Sequence, residues 1–333
     1  MKAHHLDQAW IVIATPYLAD ANNGNWRTAN RWSTLLSPHY HVIVQGDERE
    51  KIEAHQPPTA APDLLIALHA RRSASLIQQF RTQHPDTPIV VVLTGTDLYK
   101  DLPYNADAQA SLQTANALIV LQEDAIQHIP LQYRHKTHVV FQSAKPLAPA
   151  QKTKGKLQCV VVGHLRDEKD PTTILNALND LPTALPIHIT HIGAPLDTRL
   201  AEASQAKMAE DARYHWVGAL SHGLTRAAIK RSHVLIHPSM MEGGANVIVE
   251  AILSGTPVLA SKMSGNIGML GYDYSGYFPV GDAKTLAALM QKCLSDPNFL
   301  LRLNIQAQGR AQLFLPATER DTLKKIIQSL IGR

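Results

Sequence analysis

The chain has 333 residues, 45% of them apolar and 18% charged, and a formal net charge of +4. That size accommodates two domains with separate cores, and the balance of apolar and charged residues describes a soluble globular protein and excludes a disordered one. The positive excess is too small, and the Lys and Arg residues too scattered, for a nucleic-acid surface; a cleft for anionic small molecules fits better.

From the N-terminus, apolar runs alternate with helical patterns. Residues 10–15 read as a strand, 25–36 as a helix and 40–45 as a strand; 63–69 is a strand, 73–84 a helix and 88–93 a strand. Residues 106–115 are helical, 117–121 a strand, and 139–142 a last short strand of this half. The Pro- and Lys-rich stretch 143–156 reads as an exposed linker. A second series follows, with strands at 157–162, 187–192, 214–217, 234–237 and 257–260 and helices at 170–181, 224–231 and 246–253. The tail is helical at 282–295, 297–314 and 318–331. Near-continuous apolar runs such as 89–93 and 159–162 indicate parallel strands covered on both faces. The pattern predicts an α/β protein of two doubly wound, Rossmann-like domains, 1–147 and 148–333, facing across a cleft. The final helix, residues 316–333, is expected to pack back on the first domain.

Cys159 and Cys293 are the two cysteines, with no CxxC pair, and Cys159 opens an apolar run as a buried thiol would. A reducing cytoplasm is the expected location. The first residues lack the apolar core of a signal peptide, and no apolar run approaches membrane-spanning length. Seventeen His residues show no metal-ligand spacing, so neither a metal nor a cofactor is expected.

The densest chemistry lies at Glu242-Gly243-Gly244-Ala245-Asn246-Val247-Ile248-Val249-Glu250. Two carboxylates stand eight positions apart, the first on a loop and the second two turns into a helix that ends at Gly255 and Pro257. With the apolar strand before it, this is the strand–loop–helix unit of a nucleotide site, able to hold a sugar nucleotide by its hydroxyls. Arg166 and Lys169 follow the strand at 157–162, where they would neutralise a diphosphate leaving group without a metal. The Gly265–Gly268 stretch could present backbone N–H groups to the same diphosphate or form an ordinary glycine turn.

Three strand ends of the first half carry small, hydroxyl and cationic residues. They are Gly24, Asn25, Trp26, Arg27 and Thr28; His69, Ala70, Arg71, Arg72 and Ser73; and Thr94, Gly95, Thr96 and Asp97. A helix N-terminus beside two Arg side chains makes an anion cradle, which points to a small anionic acceptor. His69 and Asp97 are candidates for proton handling or sugar contacts; a structural histidine and a helix-capping aspartate are the plainer readings. Trp26 and Trp32 fit a core or a cleft wall.

On Glu242-x7-Glu250, Gly163-x5-Lys169 and the Gly-Thr-Pro-Val run at 255–258, the chain resembles the GT-B glycosyltransferases of the family 4 type. Blocks at 23–32, 67–73, 93–101, 162–171 and 264–271 resemble more narrowly the selenosugar synthases of selenoneine biosynthesis. The resemblance implies a UDP-sugar donor, UDP-GlcNAc or UDP-Glc, and selenophosphate as acceptor. It implies that Glu250 holds the ribose and Glu242 faces the sugar, with Arg166, Lys169, Leu220, Gly243, Gly244 and Asn246 completing the donor site. The nucleotide base would lie along Trp216–Leu220. Catalytic parts fall to Glu242, Lys169, His69 and Asp97, and acceptor contacts to Gly24, Asn25, Arg27, Thr28, His69, Arg71, Arg72, Thr94, Gly95 and Thr96. One departure stands out: His164 occupies the place where the wider family has an Arg, and Arg166 follows two positions later, leaving open which meets the diphosphate. Two other readings remain at this point, an O-glycosyltransferase acting on another small anionic or lipid acceptor and a non-catalytic sugar-nucleotide-binding regulator.

Overall fold

The computed structural model describes residues 9–16, 24–46 and 61–332. Asn23 of the 23–32 block and the first eight residues, with their expected lack of a signal peptide, lie outside the described residues. The chain forms two compact units, Met1–Gln142 with Pro316–Arg333, and Ser143–Leu315. The division falls five residues before the expected 147/148 boundary because the start of the supposed linker is bonded to the second unit. Ala144 N–H donates to Phe314 O (3.3 Å), Leu147 N–H to Leu253 O (2.9 Å), and Arg226 Nη2 to Lys145 O (2.7 Å). Further along, Lys152 Nζ donates to Lys230 O (2.7 Å) and Ser232 O (2.6 Å), so 143–156 is a strap on this unit and not a loose tether.

The first unit is a sheet of six parallel strands, β1 (Trp10–Ala14), β2 (His41–Gln45), β3 (Leu64–Leu68), β4 (Ile89–Leu93), β5 (Ala117–Val120) and β6 (Thr137–Val139), in the order β2-β1-β3-β4-β5-β6. β3 and β4 are buried along their whole length, which requires cover on both faces. One face is covered by α1 (Gly24–Leu36), whose Thr28, Ala29, Trp32 and Leu36 recur at helical spacing, and by the last helix, Pro316–Ile331. Leu323, Ile326 and Ile327 of that helix join Ile11, Ile13 and Trp32 in one core cluster. The other face packs under α2 (Ala74–Gln83) and α3 (Ala106–Thr114), through Ile77, Phe80 and Leu112. β6 lies earlier than the predicted strand at 139–142. Val140 N–H still bonds Val120 O (2.9 Å), but the chain then leaves the sheet, and Gln142 turns its amide onto Thr28 Oγ1 (2.7 Å).

The second unit has β7 (Leu157–Val162), β8 (Ile187–Ile192), β9 (Tyr214–Trp216), β10 (Val234–His237), β11 (Val258–Ser261) and β12 (Tyr277–Phe278), parallel in the order β12-β11-β10-β7-β8-β9. Its helices are α4 (Pro171–Asn179), α5 (Thr198–Glu210), α6 (His222–Arg231), α7 (Asn246–Ile252), α8 (Ser264–Leu270), α9 (Ala283–Ser295) and α10 (Pro297–Gln308), so the last helix of the chain is α11. Three of these depart from expectation: α5 was not predicted, α8 stands where a Gly265–Gly268 loop was expected, and α10 ends at Gln308, short of the predicted residue 314, with a separate 3-10 turn, Ala311–Phe314, after it. Cys159 is buried in β7, and burial pushes its thiol well up. Two parallel doubly wound sheets make this an α/β protein, as expected. Among the described residues no helix is long and apolar enough to cross a membrane, and no cluster of His, Cys, Asp or Glu is placed to hold a metal ion.

Candidate active site

In the second unit the strand order reverses between β7 and β10, and the carboxyl ends of these strands open the crevice where such sheets bind ligands. After β7 the chain enters a 3-10 turn, Asp167–Lys169, and Asp170 takes a left-handed conformation (φ 45°) to cap α4 at Thr173 N–H (3.2 Å). This reversal brings Lys169 back over Gly163: a Cβ on Gly163 would lie 3.4 Å from the lysine stem. After β10, Met240 N–H donates to Glu168 O (2.9 Å) and ties the following loop to the lysine turn.

The loop then sets Glu242 Oε1 against Lys169 Nζ as an ion pair, with both side chains largely shielded from solvent. Buried His237 places Nε2 3.3 Å from the same oxygen, without the alignment of a hydrogen bond. Burial pushes the Glu242 carboxyl up, but the Lys169 charge and the His237 ring outweigh it and hold the carboxyl below the ordinary range. Burial lowers His237, with Glu242 opposing. α8 closes the far side. A Cβ on Gly265 would fall 2.1 Å from Glu242 O, so only glycine lets the helix approach this closely. Behind it, Asn266 is buried and donates to Ser261 O (2.9 Å).

Glu250 stands a little over one turn into α7, not two, and is buried. Its Oε1 accepts from His222 Nε2 at 2.6 Å. Gly243 is buried, Gly244 and Asn246 are half-buried, and Leu220 is exposed just before α6. Arg166 and His164 are both exposed, but His164 Nδ1 accepts Ala194 N–H (2.9 Å), which commits one ring nitrogen to the loop after β8. Around the expected base pocket, Trp216 Nε1 donates to Gly193 O (2.8 Å) and Gly193 N–H to Gly218 O (2.9 Å), fixing the backbone there.

In the first unit the reversal lies between β1 and β3. His69, directly after β3, is buried with φ 73°, a conformation that costs a non-glycine residue roughly 1–3 kcal/mol. Its Nδ1 accepts Arg72 N–H (3.3 Å), so Nε2 carries the hydrogen and donates to Thr96 Oγ1 (3.1 Å), leaving the Thr96 hydroxyl hydrogen for another acceptor. Burial lowers the His69 pKa, Asp97 opposing and Arg72 assisting. Asp97 is fully buried: Oδ1 accepts Thr94 N–H (2.8 Å) and Gly95 N–H (2.9 Å), and Oδ2 accepts Ala70 N–H (2.9 Å). It staples the loop after β3 to the loop after β4, and this use of both oxygens makes it a positioning group. Arg71 pairs with Asp101 (2.8 Å), while Arg72 is exposed.

Gly24, Asn25 and Arg27 open α1, but Thr28 is buried. Its hydroxyl donates to Gly24 O (2.9 Å) and accepts from Gln142 (2.7 Å), which turns it away from the expected anion cradle. Trp32 is in the core and Trp26 half-buried. Four residues with a part in these clusters were given no site role from the sequence: His237 and His222, and also Asn266 and Asp101, which lie in the 264–271 and 93–101 blocks. His237 carries a signal, a lone polar residue at the end of an apolar strand directly before Pro238. His222 carries none, since its partner is 28 positions away.

Residues 145–311 match the family model described as glycosyl transferases, group 1. A curated relative, a D-inositol 3-phosphate glycosyltransferase of Streptomyces avermitilis, is 24% identical over 343 aligned positions, covering 93% of this chain and 65% of the relative. The chain thus spans about two thirds of that protein's length. Among solved structures, Anabaena HepE in complex with UDP and glucose superimposes with a TM-score of 0.74 at 16% identity, covering 97% of this chain and all of the other. Sucrose-phosphate synthase of Thermosynechococcus elongatus gives 0.77 at 18% identity, covering 98% and 100%, and with these likenesses the fold is of the expected GT-B class.

Proposed function

The chain belongs to the group 1 glycosyl transferases, and on that premise we propose that it transfers a hexosamine-type sugar from UDP-GlcNAc to selenophosphate. The observation that carries the donor half is the shielded Lys169–Glu242 pair, backed by His237, at the reversal of the second sheet. Glu250 takes the ribose hydroxyls. The incoming diphosphate competes for Lys169, with Arg166 beside it, and the freed Glu242 carboxylate accepts a sugar hydroxyl. Selenium attacks the anomeric carbon with its lone pair; the bond from that carbon to the diphosphate oxygen breaks, and its electrons leave on UDP, whose charge the two cations stabilise.

The acceptor half rests on the N-terminal blocks and on Arg71, Arg72, Thr94, Gly95 and Thr96 at the ends of β3 and β4. These are groups suited to an anion. Selenium is nucleophilic without a strong base, so His69 serves as a hydrogen-bond donor to Thr96 and not as an obligatory proton acceptor. The curated relative's name favours a second reading, O-glycosylation of a small phosphorylated alcohol. Incubation with UDP-GlcNAc and either selenophosphate or inositol 3-phosphate separates the two. UDP release with a selenium-containing sugar by mass spectrometry is expected. Its absence, under conditions where UDP-GlcNAc is shown to bind, refutes the selenophosphate assignment.

A further inference from the structure

His222 is an exposed side chain at the start of α6, yet it places Nε2 2.6 Å from a carboxylate that is itself almost buried. A carboxylate only accepts, so the nitrogen that faces it carries the hydrogen, and the bond engages one lone pair of Oε1. The second lone pair of that oxygen and both of Oε2 stay open, enough for two hydroxyl donors. The base from which His222 reaches is rigid: Ser221 Oγ caps α6 at Leu224 N–H (3.4 Å), Arg226 is anchored to Lys145 O (2.7 Å), and Ile229 O accepts from Thr256 Oγ1 (2.9 Å). Packing confines the Glu250 stem, and this hydrogen bond fixes the plane of its carboxylate before any ligand arrives, which lowers the ordering cost of binding.

We propose that His222 is a positioning residue of the nucleoside site, holding the Glu250 carboxylate with its open edge toward the ribose 2′- and 3′-hydroxyls. The proposal rests on the donor reading above. Its signature is a dependence on the diol: His222 matters for a nucleotide that presents both hydroxyls and not for one that presents neither.

Calorimetric titration with UDP and with 2′,3′-dideoxy-UDP tests this on wild type, H222A and H222Q. H222A is expected to weaken UDP about five- to tenfold, the effect of one hydrogen bond of ordinary net strength, and dideoxy-UDP by less than about twofold. H222Q, whose amide N–H reaches a similar distance, restores most of the UDP affinity. In turnover, H222A raises the KM for UDP-GlcNAc and leaves kcat unchanged. Equal loss for both nucleotides, no loss, or tighter UDP binding, as a blocking role would give, overturns the proposal. Failure of the wild type to bind UDP at all overturns the donor reading with it.

Discussion

Glu242 gathers charge and geometry from three separate segments: the lysine of the turn after β7, the ring of His237, and the backbone approach of Gly265. Glu242→Gln keeps the shape and removes the charge, so kcat should fall about 10²-fold or more while UDP still binds, checked by turnover beside titration. The carboxylate pair was readable because both members lie in one nine-residue stretch. Lys169 was readable from its own motif, but its pairing with Glu242 was not, since the two lie 73 positions apart, and the bond from Ala70 N–H to Asp97 depends on β3 lying beside β4. His191 gives the second unit a pH dependence. Burial, partly opposed by its hydrogen bond to Gly163 O, lowers it to about 4, whereas the unfolded chain protonates near the ordinary 6.5. The unfolded state therefore takes up the proton first as pH falls. The stabilisation is complete above 6.5 and is lost progressively toward 4, about 3 kcal/mol in all. Melting temperatures from pH 7 to 4.5 should fall more steeply for the wild type than for His191→Gln; parallel curves would remove His191 from the account.

The strands were legible because parallel strands buried on both faces must be continuous apolar runs, as Leu64–Leu68 and Ile89–Leu93 are. α5 was hidden for the opposite reason: of its 13 residues only Leu200 and Ser204 are buried, so it shows no apolar stripe. α8 was hidden by two glycines in a seven-residue helix, where one of them is required by contact with Glu242 and not by a turn. α11 reaches α1 through Glu319, buried, accepting from Trp32 Nε1 (2.6 Å) and from Arg31 Nε (2.9 Å). Glu319→Ala should destabilise the first unit by roughly 2–4 kcal/mol, somewhat below the usual loss for a buried pair because Arg31 retains some exposure to water. A chemical-denaturation midpoint unchanged from wild type would show that the apolar contacts of Leu323, Ile326 and Ile327 hold the helix without it.

Both units follow one plan, six parallel strands with a reversal that opens a crevice, and this duplication was visible in the alternation of patterns. The ownership of α11 depends on tertiary packing, because the first unit is closed by residues from the far end of the chain. A chain ending at Leu315 lacks the helix that covers Ile11, Ile13 and Trp32. Limited proteolysis should then cut residues 9–142 quickly and leave 143–315 resistant, with UDP binding retained. Equal protection of both would mean that the sheet closes its own face. The same arrangement orders events on the ribosome. The second unit is complete as soon as Leu315 has emerged, but the first, although made earlier, waits for the whole of the second to be synthesised before its covering helix exists. At roughly 5–20 residues per second that interval is about 10–40 s, during which the nascent chain carries an uncovered apolar face. The earlier-made unit is thus the later one to have all its parts.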